Sequence, residues 1–302
     1  MNTELTNTRK LFIAIVLNII IVVLQLSFGI ISHSIALITD AVHNFQDVLS
    51  LIIAFIAAIW MKKKPTKKMT YGYLRAEALA GFVNSGFLVG AIFLIILTSI
   101  ERLISPEEIK SLYVIFFGFL AFFINGLSAL ILGFHFHIHN HEHNHEHEHD
   151  LNITAAYLHL VSDAGISLAV VLGGIAMYYT GLYWIDPILS LLFSLYILKE
   201  TIPVLRKSYN ILMEGVPANI DVEDIKSEII KIPEVKEIHD IHVWALSSKD
   251  IYFTGHITLN PNTPIEKIES IIKQITEILK NKGINHITIQ PETKNFRCEN
   301  IH

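Results

Sequence analysis

Two apolar stretches of the chain each carry a histidine followed four residues later by an aspartate: His43 with Asp47, and His159 with Asp163. On a helix, residues four apart lie one above the other on the same face, so each stretch presents an imidazole and a carboxylate side by side. Two neutral ring nitrogens and two carboxylate oxygens form a tetrahedral set that suits Zn²⁺ and also accepts Cd²⁺, Co²⁺ or another borderline divalent ion. Soft Cu(I) fits less well without thiolate or thioether donors. A single His–Asp pair also reads as a helix-packing hydrogen bond or as groups facing a water-filled cavity, but two copies on separate helices favour a ligand set. Asp40 precedes His43 by three and lies near its face. It reads either as an outer partner orienting the imidazole or as a cap or helix contact near the membrane surface.

A second concentration of ligands is conspicuous. From His135 to His149 every odd-numbered residue is histidine (His135, His137, His139, His141, His143, His145, His147 and His149), with Glu142, Glu146 and Glu148 between them. Alternation with little hydrophobicity after Ile138 reads as a disordered, low-complexity tract that captures or buffers metal, the alternative being an inert soluble tether. Neutral imidazole is the ligand form, so capture weakens on acidification. The tract twice matches the metalloprotease spacing, at His141-Glu142-His145 and at His145-Glu146-His149. That motif works on an ordered helix where the glutamate activates zinc-bound water, whereas here the repeat creates the spacing automatically. A third set lies near the C-terminus: His239, His242 and His256 on adjacent expected strands, with His286, Gln290 and Glu292 on or beyond the last. Residues alternating along strands converge on one face, so this set reads either as a further metal site or as hydrogen-bonded structural histidines.

The elements that must hold these residues follow from composition and periodicity. The chain has 302 residues, 52% of them hydrophobic and 17% charged, with mean hydropathy +0.47, too apolar for a soluble domain. The net charge of -5, with no basic stripe interleaved with aromatics, argues against nucleic acid as a partner. Cys298 is the single cysteine, so no internal disulfide and no cysteine-rich metal motif exists. Six membrane-length runs are expected near 11–31, 35–60, 78–100, 112–134, 154–178 and 185–205. The first is of full spanning length and lacks a small-residue cleavage site, so it reads as a retained helix. Ser32 and His33 turn between the first two spans, and Ser105 to Lys110, with Pro106, between the third and fourth.

Basic residues cluster before the first span (Arg9, Lys10), between the second and third (Lys62, Lys63, Lys64, Lys67, Lys68) and after the sixth (Arg206, Lys207). The positive-inside rule then places both termini and the histidine tract in the cytoplasm. Beyond 208 the long apolar runs stop. Helical spacing over 221–230 after a cap at Asp221, strands over 235–246 and 251–259 joined by a hairpin turn at 247–250, a helix over 265–279 stopped by Gly283, and a strand over 284–289 give the order αββαβ. The expected fold is an α-helical membrane protein: residues 1–207 form a six-helix transmembrane transport domain carrying the histidine loop 135–150, and residues 208–302 a small cytoplasmic α+β domain. About 90 residues make only a modest core, one readily stabilised by pairing with a second copy.

In combination the paired His-x-x-x-Asp motifs of the second and fifth spans, the His-rich loop after the fourth, Tyr71-Gly72-Tyr73-Leu74-Arg75-Ala76-Glu77 and His239-Asp240-Ile241-His242-Val243-Trp244 resemble the cation diffusion facilitator family. Nearly the whole chain is covered, and the likeness is to the zinc-transporting branch. The resemblance implies a homodimer exchanging cytosolic Zn²⁺ for protons, with six helices preceding a metallochaperone-like cytoplasmic domain that dimerises and binds regulatory zinc. It implies His43, Asp47, His159 and Asp163 as the transport site and His239, His256 and Glu292 as ligands of the cytoplasmic site. The chain departs from the pattern at Tyr71 and Tyr73, where some relatives carry zinc-binding histidines, and at Gln290, where some carry a ligating histidine.

Ligand chemistry makes proton exchange intrinsic, because metal needs neutral histidine and ionised aspartate. Exchange of Zn²⁺ for two protons is electroneutral; exchange for one moves net charge against about 2.3 kcal/mol per 100 mV. Three classes stay open at this point: a divalent-metal efflux antiporter in a bacterial cell membrane working by alternating access, a membrane zinc metalloprotease, and a metal-binding receptor or scaffold without flux.

Overall fold

The computed structural model describes residues 18–139 and 147–294. Among the described residues a shorter apolar helix and five long ones come first: α1 (Asn18–Ser32), α2 (Ile35–Met61), α3 (Ala76–Ile104), α4 (Ser111–His139), α5 (His147–Thr180) and α6 (Ile185–Leu212). By length and apolarity α2, α3, α4, α5 and α6 can each cross a membrane, and α1 is described from Asn18 onward. The helices overrun the expected spans at several ends, because strong helix formers such as Leu, Lys and Glu continue beyond the apolar run. Most visibly, α6 passes through Pro203 to Leu212. Apolar side chains including Leu51, Phe55, Leu94, Phe116 and Leu195 remain exposed, as a lipid-facing surface requires.

By its internal contacts the chain divides into two compact units, Met1–Ile52 with Asn84–Ile202, and Ile53–Val83 with Pro203–His302. In the first unit, helices approach at small residues. A side chain on Gly118 would press on Val170 and Val171 of α5, and one on Gly174 would press on Val114 and Ile115 of α4. Two glycines facing the opposite helix let α4 and α5 pack closely where lipid supplies no hydrophobic drive. Buried hydroxyls join other helices: Thr39 Oγ1 lies 2.8 Å from Ser190 Oγ, and Ser99 donates to Ser190 at 3.0 Å.

The start of α2 is held from across the unit. His33 turns the chain with φ +63°, and the Ser34 hydroxyl accepts from the Leu37 N–H at 3.1 Å as an N-cap. Asp186, buried in the first turn of α6, accepts from the Ser34 hydroxyl at 2.5 Å and from the N–H groups of Ile35 at 2.6 Å and Ala36 at 3.2 Å. An anion at a helix N-terminus satisfies donors that would otherwise be orphaned in an apolar layer.

The C-terminal elements of the second unit follow the expected αββαβ order: α7 (Val222–Ile230), β1 (Glu237–Ala245), β2 (Ile251–Leu259), α8 (Ile265–Asn281) and β3 (His286–Thr293). The sheet order is β1-β2-β3, with β1 antiparallel and β3 parallel to β2. Ile271, Ile275 and Leu279 recur every four residues on α8 and are buried with Ile225 and Ile229 of α7 against Phe253 and Ile257 of β2. Asp221 caps α7 by accepting from the N–H groups of Glu223 and Asp224. Gly283, at φ +85°, ends the turn after α8. Lys282 bridges to Asp224 at 2.5 Å and Glu228 at 3.0 Å, and these carboxylates push its ammonium pKa up.

Asp186→Ala strips three donors of their acceptor, and the expected loss of stability is about 3 kcal/mol. A lower thermal midpoint of the detergent-purified protein checks this, with Asp186→Asn, which keeps one carbonyl acceptor, falling in between.

Candidate metal centres

Helices α2 and α5 run antiparallel and meet through rungs one turn apart. His159 Nε2 lies 3.4 Å from Asp47 Oδ1, and His43 Nε2 lies 3.1 Å from Asp163 Oδ1. His159 Nε2 is also 3.7 Å from Asp163 Oδ2, and the two imidazoles meet edge to face with ring centroids 5.8 Å apart. One donor atom from each of the four residues lies within 4.8 Å of all the others. A tetrahedral ion with bonds of about 2.0–2.1 Å sets its ligand atoms about 3.3 Å apart, and the observed rungs bracket that spacing. The spacing of four within each sequence pair puts its members on one face. Antiparallel packing then sets each histidine opposite the other helix's aspartate.

Among the described residues Asp40 makes no hydrogen bond to His43. Its carboxylate accepts from Gln25 Nε2 of α1 at 2.6 Å and from Ser167 Oγ of α5 at 3.1 Å, so it is a helix contact beside the ligand set. Gln25 Oε1 in turn accepts from Asn44 Nδ2 at 3.1 Å. Gln25 stands out in the sequence as one of two amides, with Asn18, in an apolar run; Ser167, four after Asp163, carries no such signal because hydroxyls are common in membrane helices.

The second unit holds a separate cluster. His239 and His256 face each other across the antiparallel pair β1/β2, and Glu292 reaches them from β3. His239 Nε2 lies 3.2 Å and His256 Nδ1 3.0 Å from the two oxygens of Glu292, yet neither approach is aligned as a hydrogen bond. Both ring nitrogens of His239, His256 Nδ1 and Glu292 Oε2 are therefore buried without a hydrogen-bond partner. Buried polar atoms in that state are costly, and two imidazoles with a carboxylate are the donor set of a zinc site with a position left for a further ligand. The residues present fit a zinc ion.

Local backbone makes this cluster. A bulge between His239 and His242 sets Asp240 and Ile241 opposite Gly255, with Asp240 at φ +50°. Asp240, missed as a site residue in the sequence, thereby comes within 3.5 Å of His256 Nε2 and 3.1 Å of His242.

Two expected members are not brought in. His242 pairs with Thr254, one step along the ladder from His256, and its imidazole is half exposed. His286 begins β3 opposite Tyr252, tilted against that ring with centroids 4.7 Å apart and near Tyr71 at 6.2 Å. Six residue steps of strand separate it from Glu292, about 20 Å at the rise of an extended chain. Gln290 donates to Glu292 at 2.8 Å.

The histidine tract is less of a loop than its composition suggests. α4 continues through His135, His137 and His139, and α5 begins at His147 and includes His149, since neither glycine nor proline falls between Gly133 and Gly165 to break a helix. His141, His143 and His145, with Glu142 and Glu146 of the protease-like spacing, lie outside the described residues.

Four groups of a kind that can hold a metal, gathered between membrane helices in one chain with a compact αββαβ domain, point to a membrane protein that handles metal cations. Residues 11–213 match the family model described as the cation efflux transmembrane domain, and residues 217–294 the one described as the cation efflux protein, cytoplasmic domain. The chain belongs to the cation efflux, or cation diffusion facilitator, family, on its zinc-transporting branch. It is 31% identical over 299 residues to a cadmium, cobalt and zinc/H⁺-K⁺ antiporter of Bacillus subtilis, covering 99% of this chain and 93% of that protein. It is 34% identical over 288 residues to the metal cation efflux system protein CzcD of Cupriavidus metallidurans, covering 95% and 87%. With the zinc transporter ZitB of Escherichia coli the identity is 33% over 291 residues, covering 96% and 88%. The family is one of transporters.

In an Asp163→Ala background, which silences the membrane quartet, Glu292→Gln and His239→Ala should each remove about one zinc ion per chain in isothermal titration. His286→Ala should leave the count unchanged.

Proposed function

We propose that the chain is an efflux antiporter that takes Zn²⁺, and also Cd²⁺ or Co²⁺, from the cytoplasm and exchanges it for protons, with His43, Asp47, His159 and Asp163 as the transport site. The observation that carries the reading is the convergence of those four donor atoms within 4.8 Å between two membrane helices. Cadmium, cobalt, zinc and protons in the names of the relatives support the cargo and the exchange.

Binding requires neutral imidazoles and ionised carboxylates, so loading from the cytoplasm releases protons and protonation from the far side helps expel the ion. Rocking of helix groups about this site opens it alternately to each side. The lysine-rich stretch Lys62 to Lys68 supports placing both termini in the cytoplasm, and the bacterial relatives support the inner, cell membrane. In this reading residues 1–207 transport, and residues 208–302 join two copies and bind a regulatory zinc at His239, His256 and Glu292. The two successive family matches, 11–213 and 217–294, support a transmembrane part followed by a cytoplasmic one. The tract His135 to His149 gathers cytosolic metal for the site.

Asp163→Ala should abolish zinc uptake into proteoliposomes under an imposed pH gradient while the protein still elutes as a dimer. Full uptake by that variant would refute the quartet. Lowering the pH from about 7.5 to about 5.5, across the usual imidazole pKa, should weaken zinc binding to the intact quartet by at least tenfold, read by titration calorimetry.

A further inference from the structure

The ladder between α2 and α5 has a third rung below the two that supply ligands. Asp47 faces His159, His43 faces Asp163, and one turn further Asp40 faces Ser167. Exposure falls along it. The side chains of Asp47 and His159 are 35% and 49% accessible, those of His43 and Asp163 are 11% and 4%, and Asp40 and Ser167 are buried.

The third rung differs in kind from the others. Its carboxylate faces a hydroxyl rather than an imidazole, and it is tied to a third helix by Gln25 of α1. Among the described residues its hydrogen bonds come only from the neutral groups of Gln25 and Ser167. A carboxylate kept in a membrane interior by neutral donors is costly unless those donors are in place, so the three side chains hold one another and draw α1, α2 and α5 together. Beyond the rung the interior is packed shut: Ala36 and Leu37 of α2 are buried with Val170 of α5, Phe28 of α1 packs against them, and buried Ser34 and Thr39 bond Asp186 and Ser190 of α6.

We propose that Gln25, Asp40 and Ser167 form the outer latch of the site, a positioning element that closes the path on the side away from the cytoplasm and must part for the ion to leave there. This rests on reading the quartet as the transport site and on the cytoplasmic placement of the termini, which makes α2 run inward from Ile35 and puts Asp40 on the outer side of His43. The latch is distinct from the ligands: among the described residues its hydrogen bonds go to none of the four, and Gln25 belongs to a helix that contributes no ligand.

The test uses the full-length protein carrying Cys298→Ser and Ala36→Cys, which sets a thiol one turn beyond Asp40 on the same face of α2. A charged, membrane-impermeant methanethiosulfonate applied outside intact cells then reads the outward-open fraction. Ser167→Ala and Gln25→Leu each remove a donor to the carboxylate, and each should raise the labelling rate about tenfold. Zinc affinity of the purified dimers should change by less than about threefold, because the quartet keeps its ligands. A latch that only supported the fold would lower zinc affinity without raising labelling. Unchanged labelling in the variants that elute as dimers, or faster labelling accompanied by loss of zinc affinity, would overturn the proposal. If Ser167→Ala fails to elute as a dimer, Gln25→Leu, outside the α2/α5 pair, decides alone. Full zinc transport by Asp163→Ala would remove the quartet reading, while the labelling comparison, which needs no transport, would still report on the latch.

Discussion

Two imidazoles and two carboxylates in a membrane interior are tolerated only if each finds a partner, and the antiparallel register of α2 and α5 supplies one to all four. Each histidine sits opposite the aspartate of the other helix, so the two His–Asp pairs balance one another across the helices. A slip of one residue would rotate a helix by about 100° and turn His43 and Asp47 away from their partners.

Much of the membrane unit serves that register. Gly118 and Gly174 let α4 close on α5, while Asp186 fixes the first turn of α2 from α6. These contacts are polar or depend on small residues, as expected where lipid competes with every apolar side chain and the hydrophobic effect cannot order the bundle. In the αββαβ region the opposite holds. A continuous apolar core of isoleucine and leucine on two helices covers one face of the sheet, and polar groups concentrate around His239, His256 and Glu292.

The two candidate metal centres show two routes to convergence. In the membrane the ligands come from helical spacing repeated on two elements, and rigid packing brings the repeats together. In the sheet they come from three strands, and a bulge with Asp240 in the left-handed region adjusts the ladder around His239 and His256. Orphaned ring nitrogens mark the sheet site as suited to an ion rather than to hydrogen bonding among its own residues.

Local spacing in the sequence determined the membrane class, the six helices, the order αββαβ and the two His–Asp pairs, because each depends on periodicity within a single segment. Hydropathy and the four-residue interval need no partner to be read. Tertiary structure decided what depends on juxtaposition. It decided that Asp40 bonds Gln25 and Ser167 rather than His43, that Asp186 caps a helix about 150 residues away in the chain, and that His286 lies at the wrong end of its strand to join Glu292. It also carried helix into both ends of a histidine tract whose composition reads as disorder. Such pairings follow from the register between distant elements, which rests on many weak contacts summed over a surface and leaves no pattern in any one stretch of residues.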